Sequence, residues 1–362
     1  MNFYDIVTQT KSPLTDEKLK ELIKIFIECN CSTDEFYKTI NIGSEEKENP
    51  YLLELSRKMF SPSNEGERYV NKNTTWRIVS SSEETLSAPN QIEKRVPIYR
   101  IYLNAKGKDK ATIIEEYIKQ CEAEGRQYKL KYALEDGRDD EIVILSYAED
   151  LAQNVEKIER ITEGMTLGEP AKLAGRYKEK IGIGEEYIQA PRFSYTQTRL
   201  GMIHIIMKKY YLDHIDEFEA DSKEKEEIKE TYIDYFKEEA QEIESELGDI
   251  PNDQYQERKE LLNKQLAYNN NFWPGIEFMR DYHYVYNPEV MKQYMASHFE
   301  EAIPELINSY RLASKIYGIS ENGIFSTRTE EMIQQMKTTG GNVSLESIKA
   351  LINSRELPSK EK

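Results

Sequence analysis

Apolar positions in the first sixty residues recur at helical spacing. Leu19, Leu22, Ile23, Phe26 and Ile27 fall on one face of a 3.6-residue repeat. Thr15 precedes them as an N-cap, and Asp16 and Glu17 fill the first turn, where the helix dipole favours negative charge. The pattern predicts a small helical unit over residues 1–60. It lapses over residues 61–95, which are rich in Ser, Asn and Glu and hold one strand candidate, Thr75 to Val79. That stretch predicts an irregular connection or a β-flap, and residues 1–94 form one N-terminal unit.

From Val96 the period changes from 3.6 to 2. Over residues 97–103, Ile98, Arg100 and Tyr102 share one face of a strand, and Tyr99, Ile101 and Leu103 share the other. A helix follows, opened by Asp109, carrying Ile113, Ile114, Tyr117, Ile118 and Cys121, and closed by Gly125. Residues 127–133 alternate again, with Lys129 and Lys131 on one face and Tyr128, Leu130 and Tyr132 on the other. Glu135-Asp136-Gly137-Arg138 reads as a turn, residues 141–147 as a third strand, and Ala148 to Ile161 as a second helix. The order β-α-β-β-α predicts an α+β fold, a small mixed sheet covered by helices.

Residues 162–192 hold many Gly and few apolar repeats, which predicts a long ordered loop able to close over a ligand. Tyr195 to Tyr211 returns to a helical pattern. Residues 213–248 are dense in Glu, Asp and Lys, with a thin stripe of Ile228, Tyr232, Phe236, Ile243 and Leu247. They predict one arm of an exposed helical hairpin whose second arm is 253–268. The main domain thus spans residues 95–288, with an acidic helical insertion at 213–270. Residues 289–362 form a C-terminal helical extension with a frayed tail after Pro358.

Charge narrows the function classes. The 362 residues carry 49 basic and 66 acidic side chains, a net charge of −17. A field of that sign repels nucleic-acid backbones and anionic lipid, so the sequence predicts neither nucleic-acid nor membrane partners. Any phosphate must be handled in a local basic site. No stretch approaches the ~20 apolar residues of a membrane span, and residues 1–11 lack the pattern of a secretory signal. Cys29, Cys31 and Cys121 sit at no metal-like spacing. Three idle thiols and no signal predict a reducing cytoplasm. The four His are scattered, and no Gly-rich phosphate loop, nucleophile elbow or metal-ligand cluster is present.

One feature invites chemistry. Arg100 and Tyr102 point the same way from the first strand, and Lys129 and Lys131 point the same way from the second. Two readings fit: the solvated face of a half-covered sheet, or an anion site. In the second, Arg offers a planar fork to phosphate, and a desolvated Lys among cations loses its proton and acts as a base.

Short motifs give this face a context. Tyr99-Arg100-Ile101-Tyr102-Leu103-Asn104, Gln127-Tyr128-Lys129-Leu130, and Arg138-Asp139-Asp140 before an apolar strand follow one another. Gly182-Ile183-Gly184-Glu185-Glu186 then precedes Ser194-Tyr195-Thr196-Gln197-Thr198-Arg199, and Gly275-Ile276-Glu277 leads to Asn287-Pro288. In order and spacing these motifs resemble the Hop-A type III effector family over residues 95–288. Tyr195 and Thr196 stand where that family has Phe and Gly.

The family includes Hop-A-like proteins of class V lanthipeptide biosynthesis. The resemblance therefore implies a phosphoserine/phosphothreonine lyase that forms dehydroalanine or dehydrobutyrine. Such an elimination needs a base for the α-proton, donors for the developing enolate and cations for the departing phosphate. The resemblance implies Lys129 as base, and Arg100, Arg138 and Arg199 as phosphate ligands supplemented by Lys131. It implies Tyr102 as a proton donor or carbonyl polariser, and Asn104 as a substrate-positioning group. No metal or organic cofactor is expected. The implied partner is a phosphorylated precursor peptide made by a separate kinase. The competing expectation is a non-catalytic, effector-like or peptide-binding protein on the same fold.

Overall fold

The computed structural model describes residues 2–60, 69–72, 76–82, 98–186, 195–214, 288–316, 319–320 and 323–338. In chain order the elements are α1 (Phe3–Gln9), α2 (Asp16–Glu28), α3 (Thr33–Asn41), β1 (Ile42–Glu48), α4 (Pro50–Met59), β2 (Tyr69–Lys72), β3 (Trp76–Ser80) and β4 (Ile98–Leu103). They continue as α5 (Gly107–Ala123), β5 (Lys129–Ala133), β6 (Glu135–Arg138), β7 (Ile142–Tyr147), α6 (Ala148–Ile161), β8 (Gly175–Tyr177) and β9 (Ile181–Glu185). The last three are α7 (Tyr195–Asp213), α8 (Pro288–Ile316) and α9 (Thr327–Thr338). The class is α+β. Residues 215–270 of the expected acidic hairpin, the closing motif through Asn287 and the tail lie outside the described residues.

The chain partitions into two compact units that each draw on distant parts of the sequence. One unit contains residues 1–18, 34–199 and 317–362. Its sheet has seven strands in the order β2-β3-β5-β7-β4-β9-β8. Every pairing is antiparallel, so the expected mixed sheet is corrected. The reason is that β4 and β5, which α5 joins as parallel strands, are not neighbours: β7 lies between them and runs antiparallel to both.

Alternation sorts the strand residues by face. Tyr99, Ile101, Leu103, Leu130, Tyr132, Ile142, Ile144 and Ile183 enter the core with Ile113, Ile114, Tyr117 and Ile118 of α5 and Leu151, Val155 and Ile158 of α6. Burying one such side chain is worth about 1.5–3 kcal/mol, so this face fixes the register. α1 and α9 add Phe3, Ile6, Met332 and Ile333 to the same core. The opposite face carries Arg100, Tyr102, Lys129 and Lys131.

Two connections expected to be irregular are strands. Residues 135–138, expected as a turn, form β6, which pairs with β1 as a separate two-stranded ribbon, Ile42 opposite Arg138 and Glu48 opposite Glu135. The partner lies about ninety residues upstream, where only helix was expected. The region 162–192 contains β8 and β9, which extend the sheet beyond β4. The glycines that weakened the strand pattern there have a packing reason. A Cβ on Gly182 would lie 2.9 Å from Tyr102 Cβ, and one on Gly184 would lie 2.8 Å from the Tyr195 ring.

The second unit contains residues 19–33 and 200–316. The apolar stripe of α2 is buried as expected, together with Ile203, Ile206 and Met207 of α7 and Met291, Met295 and Leu306 of α8. His204 packs edge-on against Phe26, 5.7 Å between ring centres, and its Nδ1 lies 3.3 Å from the Thr33 hydroxyl. Burial lowers its pKa to about 4, so this half-buried ring is neutral at physiological pH. Among the described residues no helix is long and apolar enough to cross a membrane.

Candidate functional site

Strand register decides which cations meet. β4 and β5 are not neighbours; β7 runs between them. Arg100 and Lys129 both stand opposite Leu145, one from each side, and Tyr102 and Lys131 both stand opposite Val143. Two strand spacings separate the backbones, about 10 Å. Arg and Lys side chains are long enough to lean towards each other over these two apolar residues. On the other edge of β5, Ile78 stands opposite Lys131 and Trp76 opposite Ala133, so Trp76 shares the cationic face.

Lys131 is the most perturbed group here. Its ammonium lies 4.2 Å from the centre of the Trp76 ring. Among the described residues no carboxylate comes within ion-pair distance of it. Burial, then the neighbouring Arg100 and Arg138 charges, lower its pKa to about 7, against a counteracting pull from Asp140. Lys129, two residues back, is lowered by burial and Arg100. It also has interactions of its own.

Arg138 reaches the same indole from the β6 ribbon, its guanidinium carbon 5.0 Å from the ring centre of Trp76 and 6.0 Å from that of Tyr37. Its Nε donates to Asp140 Oδ1 at 2.8 Å. A buried carboxylate holds the backbone below it: Glu141 Oε1 accepts from the Gly137 and Arg138 N–H groups at 2.6 and 2.9 Å. The wholly buried Lys110 donates to Glu141 Oε2 at 2.5 Å and to the Glu135 carbonyl at 3.0 Å. The Arg138-Asp139-Asp140 motif is therefore half site and half scaffold. Tyr37, raised in pKa chiefly by burial, completes the wall.

Arg100 pairs through Nη2 with the carboxylate of Glu186, while its buried Nε has no hydrogen-bond partner among the described residues. Glu186 reaches it because Gly182, Gly184 and Glu186 alternate onto the cationic face, and the Glu186 N–H donates to the Ile98 carbonyl at 2.8 Å. Tyr102 is buried on this face, its ring 6.2 Å from that of Tyr195. Burial raises its pKa strongly, so the phenol keeps its proton; the hydroxyl approaches Thr196 without a well-formed hydrogen bond.

No protein-family model and no curated protein matches this sequence.

The other two expected site residues are committed elsewhere. Arg199, stacked 4.1 Å over Tyr195, donates from Nε and Nη2 to the Gly323 carbonyl at 3.2 and 3.1 Å and from Nη2 to the Ile324 carbonyl. It ties a distant segment in place. Asn104 donates from Nδ2 to the Glu169 carbonyl at 2.8 Å, while its backbone carbonyl accepts from the Gly168 N–H. It anchors the chain after α6. The structure thus brings together Arg100, Tyr102, Lys129, Lys131 and Arg138. Sequence reasoning missed Tyr37, Trp76, Asp140 and Glu186. Trp76 lay inside the strand candidate Thr75 to Val79, and its alternation was the one signal that could have placed it. Among the described residues no His, Cys, Asp or Glu cluster is arranged to hold a metal ion.

Proposed function

We propose that this chain is a Hop-A-like lyase that eliminates phosphate from phosphoserine or phosphothreonine in a precursor peptide, with Lys131 rather than Lys129 as the base. The observation that carries the reading is the placement of Lys131: on one sheet face with Arg100 and Arg138, against Trp76, partly buried, with no described carboxylate at ion-pair distance. A Lys in that setting is substantially neutral near physiological pH and can accept a proton.

In the proposed step, Lys131 Nζ removes the α-proton. The electron pair forms the α–β double bond, the β-carbon–oxygen bond breaks, and phosphate leaves with that oxygen. Arg100 and Arg138 take up the charge of the leaving phosphate, which otherwise would raise the Lys131 pKa and silence it. The protonated Tyr102 phenol supplies a hydrogen bond to the substrate carbonyl as the enolate develops. This chemistry asks for no metal or organic cofactor. The phosphopeptide is supplied by a separate kinase, and a cytoplasmic setting suits the thiols Cys29, Cys31 and Cys121.

The test is incubation with phosphorylated peptides, followed by mass spectrometry for loss of the elements of phosphoric acid. Lys131→Met is expected to abolish elimination while retaining peptide binding, and Arg138→Ala to weaken binding. Loss of elimination in Lys129→Met with Lys131→Met active would move the base to Lys129. Binding without elimination by the wild type would favour a phosphopeptide-holding protein, the reading supported by the ties of Arg100 to Glu186 and of Arg138 to Asp140.

A further inference from the structure

The contact between Arg100 and Glu186 carries a consequence for which anions the site accepts. Arg100 projects from β4 onto the cationic face, and Glu186, the residue after β9, alternates onto the same face. Their side chains are 12% and 21% exposed, so the pair is largely shielded from water. One tine of the Arg100 fork is ion-paired with this carboxylate, and among the described residues neither Arg100 Nε nor Glu186 Oε1 has a hydrogen-bond partner. A fork with one tine filled by a protein carboxylate is an occupied anion site, not an empty one.

We infer that Glu186 is a specificity-determining residue: a tethered carboxylate on Arg100 that a dianionic phosphoryl group displaces and a monoanionic carboxylate ligand does not. This deepens the lyase reading and rests on it for the identity of the site. The physical case is competition at a single guanidinium. A tethered group acts at an effective concentration of order millimolar or higher, so a free carboxylate of equal charge gains little by exchange. A phosphate monoester brings two charges and three acceptor oxygens. It can take the Glu186 position, engage the open Nε in the bidentate manner of Arg–phosphate pairs, and still face Lys131. When Glu186 leaves, the phosphoryl group takes over its charge interaction, so the shielded Arg100 guanidinium is not left unpaired.

Glutamate and aspartate side chains of a peptide are the closest natural mimics of its phosphorylated residues. On this reading Glu186 excludes them. An acidic peptide meets an Arg100 already neutralised, whereas the phosphorylated form of a precursor outcompetes the carboxylate.

The experiment uses the full chain and two peptides that cannot be turned over. One carries the methylene phosphonate analogue of phosphoserine, and the other has glutamate at the same position. Affinities are measured by calorimetry at a pH where the phosphonate is a dianion, for wild type, Glu186→Gln, Glu186→Ala and Arg100→Ala/Glu186→Gln. Wild type is expected to prefer the phosphonate peptide by about tenfold or more. Either single Glu186 variant should tighten both peptides, the glutamate peptide most, so that the preference narrows. Removing Arg100 should abolish that gain. Unchanged or weakened binding in both Glu186 variants, with the wild type still binding the phosphonate peptide, overturns this inference and leaves the lyase reading in place. Failure of every protein to bind the phosphonate peptide overturns both.

Discussion

A lysine left among arginines is a stability cost, and Lys131 makes that cost measurable. Unfolded, its amine keeps a proton up to about pH 10.4; folded, up to about 7. Between those values the unfolded chain binds more protons, so stability rises with pH across the window. Below about 7 both states are protonated and the penalty is complete. Lys131→Met removes the charge and fills similar volume. It is expected to stabilise the protein by about 2 kcal/mol below pH 7, with the gain fading towards pH 10, as read by denaturant midpoints. The same substitution removes the proposed base, so a stabler and inactive protein is the expected pair of outcomes. A destabilised Lys131→Met would mean that the amine has a carboxylate partner after all.

At the scale of elements, the glycines of β9 show how a strand can be written to look like a loop. Gly182 and Gly184 leave the cationic face of β9 bare, so that the Tyr195 ring lies directly on the strand while its hydroxyl donates to the Leu173 carbonyl at 2.9 Å. Gly184→Ala would push a methyl group into a buried ring and is expected to cost about 1–3 kcal/mol, measured by urea denaturation. A neutral result would show that α7 can shift at its first turn. The same strand explains what was legible in the sequence. The three strands at 98–103, 129–133 and 142–147 were readable because one face of each is fully buried, which imposes strict alternation. So was the sharing of a face by Arg100 with Tyr102 and by Lys129 with Lys131. β9 was not readable, because its other face has no side chains to alternate, and β6 was not, because its partner β1 is remote. The commitment of Arg199 and Asn104 to backbone carbonyls was equally hidden, since a donor's acceptor is set by tertiary contact and not by its own sequence.

At the scale of the whole molecule, the net charge of −17 works against the cationic face. On the proposed reading, an acidic phosphopeptide would be repelled at long range and attracted only at contact. Raising the ionic strength from about 0.01 to 0.15 M shortens the screening length from about 30 to 8 Å. It should therefore speed association of an acidic phosphopeptide by about threefold in stopped flow, while a phosphopeptide flanked by Lys and Arg should slow down. Equal salt dependence for both peptides would show that the overall field is irrelevant to capture. The observable for such an experiment is built in. The chain has two tryptophans, and one of them, Trp76, lies against Lys131 and Arg138. Indole emission moves with nearby charge, because the excited ring has a larger dipole than the ground state. Deprotonating Lys131, or bringing a phosphate between the two cations, should therefore change the colour of the protein's own fluorescence. In a Trp273→Phe background that signal reports a single position, so occupancy of the cationic face could be followed in real time without a label.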